Sequence, residues 1–372
     1  MALLMWVGMS ILLIVNTRKI SYLKSITAQS DIEPPSVAVI IAVKDEEQEV
    51  EEALRSVCEL QYPRFSIIVI NDRSTDQTAA ILHRMAQQNP QLRIITIKQL
   101  PQGWLGKNHA LYQGYCAATE DWLLFTDADV KFDAGTLQKA LNYIQQKDLD
   151  HLTVLPEVTS KSSLFRAVMN TFALMLDVKL KPWTISDPHS DTSMGVGAFN
   201  LVSRQAYEKA GTHVVISLRP DDDLKLGERI KRTGSRQDIV YGEGQVSLDW
   251  YQNLGQFVQG LMKNMFSVYN YQPGTAIATA ILTFCLLTLP VPLLLFSGAP
   301  FYWMGLTILV AQIAIMAAKK GIKAKWWHAL LIPFSGLVMV YIILKSTQLT
   351  IRQGGIYWRD SFYPLSELRK QI

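Results

Sequence analysis

The sequence predicts an α/β domain built on a mostly parallel sheet, with apolar helices at both ends of the chain. Three observations predict it. Apolar, branched runs alternate with helical spacing four times between Val37 and Thr126, and polar clusters follow two of those runs. The apolar excess of a 372-residue chain that is 49% hydrophobic and 18% charged lies mainly outside this middle region.

Residues Met1 to Val15 are almost uncharged and are followed at once by Arg18, Lys19 and Lys24. A secretory signal carries its charges before its apolar run, so residues 1–17 read instead as an uncleaved anchor, and the basic flank places the adjoining domain in the cytoplasm. That domain covers residues 31–248. Val37 to Val43 is a continuous apolar run, as in a strand buried on both faces, and it passes into the acidic stretch Asp45 to Glu49, which suits the first turn of a helix reaching about Leu60. Phe65 to Ile70 is a second strand, Asn71 to Asp76 polar punctuation and Gln77 to Gln88 a helix. Arg93 to Ile97, Lys107 to Ala118 and Trp122 to Thr126 add strand, helix and strand, the last ending in Asp127-Ala128-Asp129. In such a sheet the ligand site lies past the carboxyl ends of the strands, where Asp72 and Asp127 both fall.

Further on, Asp221-Asp222-Asp223 precedes a helical pattern running to about Thr233 and stopped at Gly234. Residues 249–271 read as an amphipathic helix in the membrane surface. Trp250, Tyr251, Leu254, Phe257, Val258, Leu261, Met262, Met265 and Tyr269 share one face, and Gln252, Gln256, Gln259, Lys263, Ser267 and Asn270 form a stripe opposite. Residues 275–346 hold three apolar segments, Thr275 to Phe296, Phe301 to Ala318 and Trp327 to Leu344, each near the roughly 17–25 residues that cross a bilayer. A tail, 347–372, closes the chain. Three full crossings would put Arg352, Arg359 and the tail outside, yet basic residues flank both ends of the last segment. Either the tail is external or one segment does not span, with Pro290 and Pro292, or Pro333 and Gly336, as the places where a helix would break.

Composition also excludes. Cys58, Cys116 and Cys285 are odd in number and lack ligand spacing, so neither a disulfide framework nor a zinc site is expected. A net charge of +4 suits anionic headgroups, and no nucleic-acid motif is present. The apolar segments hold almost no ionisable residue, which argues against a transporter.

The chemistry-bearing residues are few. Asp127 and Asp129 can hold a hard cation that also bridges the phosphates of a leaving nucleotide; a turn or helix cap is the alternative. Asp72 can accept hydrogen bonds from a base or ribose, beside a capping role for Ser74, Thr75 or Asp76. Gly106-Lys107 opens a helix where free backbone donors and a cation can meet an anion, although a surface turn fits equally. One of Asp222 and Asp223 can remove a proton from an acceptor hydroxyl, against the plain reading of a solvated helix cap. The loop from Gly195 through Gly197 to Asn200 offers a close backbone approach to substrate, on the acceptor side.

This ordered set resembles the family 2 glycosyltransferases: a buried strand then Lys44-Asp45-Glu46-Glu47, Asn71-Asp72-Arg73-Ser74, Gly106-Lys107, Asp127-Ala128-Asp129, Gly195 to Asn200 and Asp222-Asp223, spanning roughly residues 36–270. It looks most like the membrane-associated branch acting on lipids, such as hopanoid-associated and carotenoid glycosyltransferases, through Leu100 to Lys107 and Gly260 to Phe266. The resemblance implies a GT-A fold, a nucleotide contacted near Ala42, Glu46 and Asp72, Mg²⁺ or Mn²⁺ held through Asp127 and Asp129, and Asp223 as the base of an inverting displacement. It implies as partners a nucleotide-sugar donor, UDP-hexose above all, and a lipid acceptor, met by a cytoplasmic catalytic domain on a multi-pass cell-membrane protein. Two departures stand out. Asp replaces the usual Glu at 222, which leaves the choice between 222 and 223 open. Processive members carry Gln-x-x-Arg-Trp on the interfacial helix, whereas this chain has Gln259-Gly-Leu-Met-Lys263-Asn264; Lys263 can still contact phosphate, but no Trp follows to stack on a sugar, so a single transfer is expected over chain growth. A processive polysaccharide synthase and a catalytically silent membrane scaffold are the rival readings.

Overall fold

A computed structural model describes residues 2–27, 33–160, 162–358 and 361–369. The chain forms two compact units, one of residues 20–158 and 184–250, the other of residues 1–19, 159–183 and 251–372.

The first unit contains the sheet. Its strands are β1 (Val37–Val43), β2 (Phe65–Asp72), β3 (Leu92–Ile97), β4 (Trp122–Thr126), the short β5 (Lys131–Phe132), β6 (His151–Leu155), the short β7 (Glu157–Val158), β8 (Asn200–Ser203), β9 (Gln237–Tyr241) and β10 (Val246–Leu248). Seven of them form one sheet in the order β3-β2-β1-β4-β8-β6-β9, while β5, β10 and β7 make a small second one. Every pairing in the large sheet is parallel except those of β8, which runs antiparallel to both β4 and β6. The apolar run that predicted β1 is double-faced because both faces are covered. Val37, Val39, Ile41 and Val43 join one core, and Ala38 and Ile40 join the other.

The four strands expected up to Thr126 are present with ends within two residues, and so are the helices Thr78–Gln88 and Gly106–Ala117. The helix expected from Asp45 begins at Val50 instead. Asp45 and Glu47 serve the neighbouring turn: Asp45 Oδ1 accepts from the Thr75 amide at 2.7 Å and Glu47 Oε2 from the Gln77 amide at 2.9 Å. The acidic stretch therefore caps the loop after β2 rather than its own helix, and Asp45 takes a left-handed φ of 52°. The helix Asp222–Arg232 ends before Gly234, whose φ of +80° is the left-handed stop that glycine favours.

Sequence periodicity did not pick out β6, β8 and β9. Each is only four or five residues long and opens on a polar residue, His151, Asn200 and Gln237 respectively, which breaks the apolar run that would mark a buried strand.

The second unit gathers the helices Ala2–Asn16, Ser163–Leu180, Leu254–Asn264, Pro273–Thr283, Phe301–Ala318 and Ile332–Gln353 with a hairpin of Gly355–Trp358 and Ser361–Pro364. Among the described residues, three stretches are long and apolar enough to cross a membrane: Ala2–Lys19, Phe301–Ala318 and Trp326–Gln353. The segment expected at Thr275 to Phe296 is not one uninterrupted helix. It passes through a π-turn over Phe284–Thr288 and restarts at Pro290, whose ring cannot donate to the preceding turn. Pro333 sits in the first turn of its helix, where the missing N–H costs nothing. On Leu254–Asn264, Phe257 and Leu261 are buried while Gln256 and Gln259 are exposed, as an amphipathic helix requires. Ser267, expected on the polar stripe, is buried. The side chain of Lys263, and residues Arg359 and Asp360, lie outside the described part of the chain.

Candidate active site

The site is built where β1, β2 and β4 end, with two glycine-bearing elements pressed against them. β4 runs out at Thr126 and delivers Asp127, whose amide donates to the Gly197 carbonyl at 3.0 Å. The helix Gly106–Ala117 points its first turn at the same place. A cation there opposes the helix dipole, so Lys107 needs another partner, and it has two. Its Nζ lies 2.8 Å from Asp127 Oδ1 and 3.6 Å from Asp222 Oδ1. Burial works against this ammonium, but Asp127, Asp222 and Asp223 outweigh it and hold its pKa above the ordinary lysine value.

The three consecutive aspartates separate by task. Asp221 is taken up by a buried bidentate pair with Arg219, at 2.9 and 2.7 Å. Asp222 is buried and faces Lys107. Asp223 is less buried; its Oδ2 accepts from the Gly197 amide at 2.8 Å and its Oδ1 from the Leu224 amide at 2.7 Å. Burial pushes the Asp222 carboxyl up to about 7, with Lys107 opposing and the neighbouring carboxylates adding to it, and burial raises Asp223 as well.

Gly197 is the joint. A Cβ there would lie 2.5 Å from Asp127 Oδ2, so no other residue lets the loop touch both Asp127 and Asp223. Gly195 meets the Asp223 carbonyl oxygen and Gly227 meets the Met194 backbone in the same manner. Asn200 is only 2% exposed and turns its side chain to His151, away from solvent.

On the other side of the β1 end, Asp72 is buried and bound by Arg73, Nε to Oδ1 at 2.8 Å and Nη2 to Oδ2 at 3.0 Å. The backbone of Gly106 abuts the same carboxylate. Ala42 is half-buried beside Ile70 in register, and the Glu46 amide donates to Thr78 Oγ1 at 2.9 Å. Sequence reasoning missed Arg73 as the partner of Asp72. It also missed Asn108, whose Nδ2 donates to the carbonyls of Ile216, Ser217 and Arg219 at 2.8, 3.2 and 3.0 Å and holds the approach to the aspartates. Lys263 belongs to the other unit.

The donor chemistry at Asp127 and Asp129 suits a hard divalent cation. Burial first, then Asp127, Glu46 and Glu49, push the Asp129 carboxyl up to about 7, so a cation bound there would have to displace a proton at neutral pH. Among the described residues no group of three or more potential metal ligands occurs, and a cation there would need water or phosphate oxygens beside the two carboxylates.

This sheet, with acidic clusters past its strand ends, is a glycosyltransferase fold of the GT-A type. The chain is similar to a mannosyltransferase from Pyrobaculum calidifontis solved with GDP-Man and Mn²⁺, with a TM-score of 0.56 at 17% identity over 95% of this chain and 97% of that one. Residues 38–211 match the family described as glycosyl transferase family 2; the chain is a glycosyltransferase that carries a family 2 domain. Among characterised relatives, it is 24% identical over 344 residues to the 4,4'-diaponeurosporenoate glycosyltransferase of Staphylococcus aureus strain USA300, covering 89% of each chain. The protein of the same name in strain RF122 is 26% identical over 226 residues, 60% of this chain and 59% of that one.

Proposed function

We propose that the protein transfers a single hexose from a nucleotide-diphosphate donor, UDP-linked above all, to a lipid acceptor, with inversion at the sugar carbon. The observation that carries this reading is the Lys107–Asp127–Asp222 contact joined through Gly197 to Asp223. It sets cation-binding carboxylates, a fixed ammonium and a candidate base in one cluster. Asp72, with Arg73 behind it, and the nearby Ala42 and Glu46 form the nucleotide side. Gly197 shapes the acceptor side; Asn200, expected there too, is buried against His151 and holds the loop from behind instead. Mg²⁺ or Mn²⁺ on Asp127 and Asp129 would neutralise the diphosphate as it leaves. Lys107 adds a second positive charge, already oriented by Asp127, where leaving-group charge develops. Asp223, the less buried of its pair, takes the acceptor proton, and its raised pKa matches it to a hydroxyl better than an ordinary carboxylate. Asp222 stays behind it on Lys107.

The lipid acceptor rests on the apolar helices and on the carotenoid glycosyltransferase relatives. The same helices support a multi-pass membrane protein with its catalytic domain in the cytoplasm, since Arg18, Lys19 and Lys24 follow the first of them. The tail then lies on the side of the interfacial helix. Ser346 Oγ donates to the Met262 carbonyl at 2.7 Å and Arg369 Nη2 to the Tyr271 carbonyl at 3.0 Å, so the last helix ends where Pro273–Thr283 begins.

The test is turnover of a panel of nucleotide sugars by protein purified in detergent with membrane lipid extract, with and without Mn²⁺, for the wild type and Asp127→Asn. Metal-dependent consumption of one donor with a new single-sugar glycolipid, lost in the variant, supports the reading. A lengthening product would point to a polysaccharide synthase, and no release or binding of any nucleotide to a silent scaffold.

A further inference from the structure

Three strands of the large sheet that periodicity did not reveal are joined at their first residues, through one imidazole. His151, Asn200 and Gln237 open β6, β8 and β9, which are neighbours in the order β8-β6-β9, and they are 0, 2 and 1% exposed. His151 pairs with Gln237 in register across β6 and β9. Its Nε2 meets Asn200 Oδ1 and its Nδ1 meets Gln237 Nε2. A carbonyl oxygen only accepts and an amide nitrogen only donates, so the imidazole is neutral with its hydrogen on Nε2. Burial, which lowers its pKa to about 4, keeps it neutral.

The partners' remaining contacts lead away from the strands. Gln237 Oε1 accepts from the Met194 amide at 3.0 Å, and Gln237 Nε2 also donates to the Gly227 carbonyl at 3.2 Å. Met194 opens the glycine loop and Asn200 closes it. Gly227 lies one turn into the helix that begins at Asp222. The loop and helix meet backbone to backbone at Gly195 and Gly227, leaving no room for adjustment by side chains. The imidazole therefore ties both ends of the loop, and through Gln237 the helix as well.

We infer that His151 is a positioning residue. Through Asn200 and Gln237 it fixes the Met194–Gly197 loop against the Asp222–Arg232 helix and so sets the spacing between Asp127 and Asp223. The inference rests on the proposed roles of those two carboxylates for its kinetic consequence, but not for its structural one. A misplacement of about 1 Å at a reacting group costs roughly 100-fold in rate, so a buried relay of this kind acts on turnover without touching the nucleotide.

Three variants test it: His151→Leu, which removes both bonds; His151→Gln, which keeps a donor toward Asn200; and Gln237→Leu, which cuts the branch to Met194 and Gly227. Two readouts are taken on the full-length protein in detergent. The first is amide hydrogen exchange of the segments 194–200 and 222–227, with β1 as the internal reference. The second is steady-state turnover of UDP-glucose and GDP-mannose. In His151→Leu and Gln237→Leu, the two segments should lose protection while β1 keeps it. kcat should fall at least about tenfold, with the donor KM changed less than about twofold, and His151→Gln should recover part of both. Unchanged exchange in the two segments, or loss that spreads equally to β1, overturns the inference. If the wild type turns over neither sugar, the kinetic readout uses the donor that the nucleotide-sugar panel identifies; if the panel identifies none, the function proposed above is what fails, and the exchange data alone decide the role of His151.

Discussion

The Lys107 ammonium lies 2.8 Å from the Asp127 carboxylate, on the first turn of a helix whose dipole disfavours it. The lysine is held in place by the carboxylates around it, and those carboxylates are in excess. Asp129, Asp222 and Asp223 all have raised pKa values despite its presence. Burial is the first cause of each shift, and for all three Asp127 adds to it.

Replacing Lys107 by Met removes the internal counterion without much change in length. Mn²⁺ should then bind more tightly, because Asp127 no longer has a competitor, while kcat falls by roughly 100-fold as leaving-group charge loses a fixed donor. Mn²⁺ titration of the initial rate reads both effects. A parallel weakening of metal binding would show that the lysine helps to assemble the metal site instead.

Gly197→Ala places a methyl 2.5 Å from Asp127 Oδ2. Either the Asp127 carboxylate or the loop must shift, which disturbs the contact with Lys107 or the bond from the Gly197 amide to Asp223. Turnover should drop by roughly 100-fold, with a melting temperature near that of the wild type, since the loop rather than the sheet core is displaced. A thermal melt beside a rate assay makes the comparison.

Stability without metal should depend on pH in an unusual sense. Asp129 and Asp222 titrate near 3.8 when unfolded and are pushed up to about 7 when folded, chiefly by burial. The folded state binds the extra protons, so the contribution is complete below the unfolded value and is lost as pH rises through the folded one. Metal-free protein should melt at a lower temperature at pH 8 than at pH 6, by at least a few degrees, and saturating Mn²⁺ should flatten the difference. Melting curves across this window in the presence of a chelator provide the measurement; equal values at both pH values would contradict the shifts.

Asn108→Ala takes a donor from three backbone carbonyls; those of Ile216 and Ser217 keep the amides of Arg219 and Leu105, while that of Arg219 loses its Asn108 partner. A destabilisation of ~1–3 kcal/mol is expected from the lost buried bonds. The loop from Ile216 to Arg219 leads directly into Asp221–Asp223, so activity should fall further than the folded fraction does. Denaturation monitored alongside specific activity separates the two effects.

How far the sequence could be read depends on how each signal is generated. Val37 to Val43 is a strand in any context that covers both its faces, because a branched apolar run has no other low-energy home; β2 and β4 were legible for the same reason. Asp72, Asp127 and Asp129 stood out because polar residues at the end of such a run are conspicuous, and Gly234 because only glycine stops a helix that way at no cost. Composition likewise marked the apolar helices, since length and hydropathy are local properties. The pairing of Lys107 with Asp127 and Asp222, the separation of Asp221 from its two neighbours by Arg219, and the joining of Asp223 to Asp127 through Gly197 were decided by the tertiary structure alone. So were the strands that open on His151, Asn200 and Gln237. A hydrogen bond between residues far apart in the chain leaves no period in the sequence, and a polar residue satisfied by a distant partner reads, until the chain folds, like one facing water.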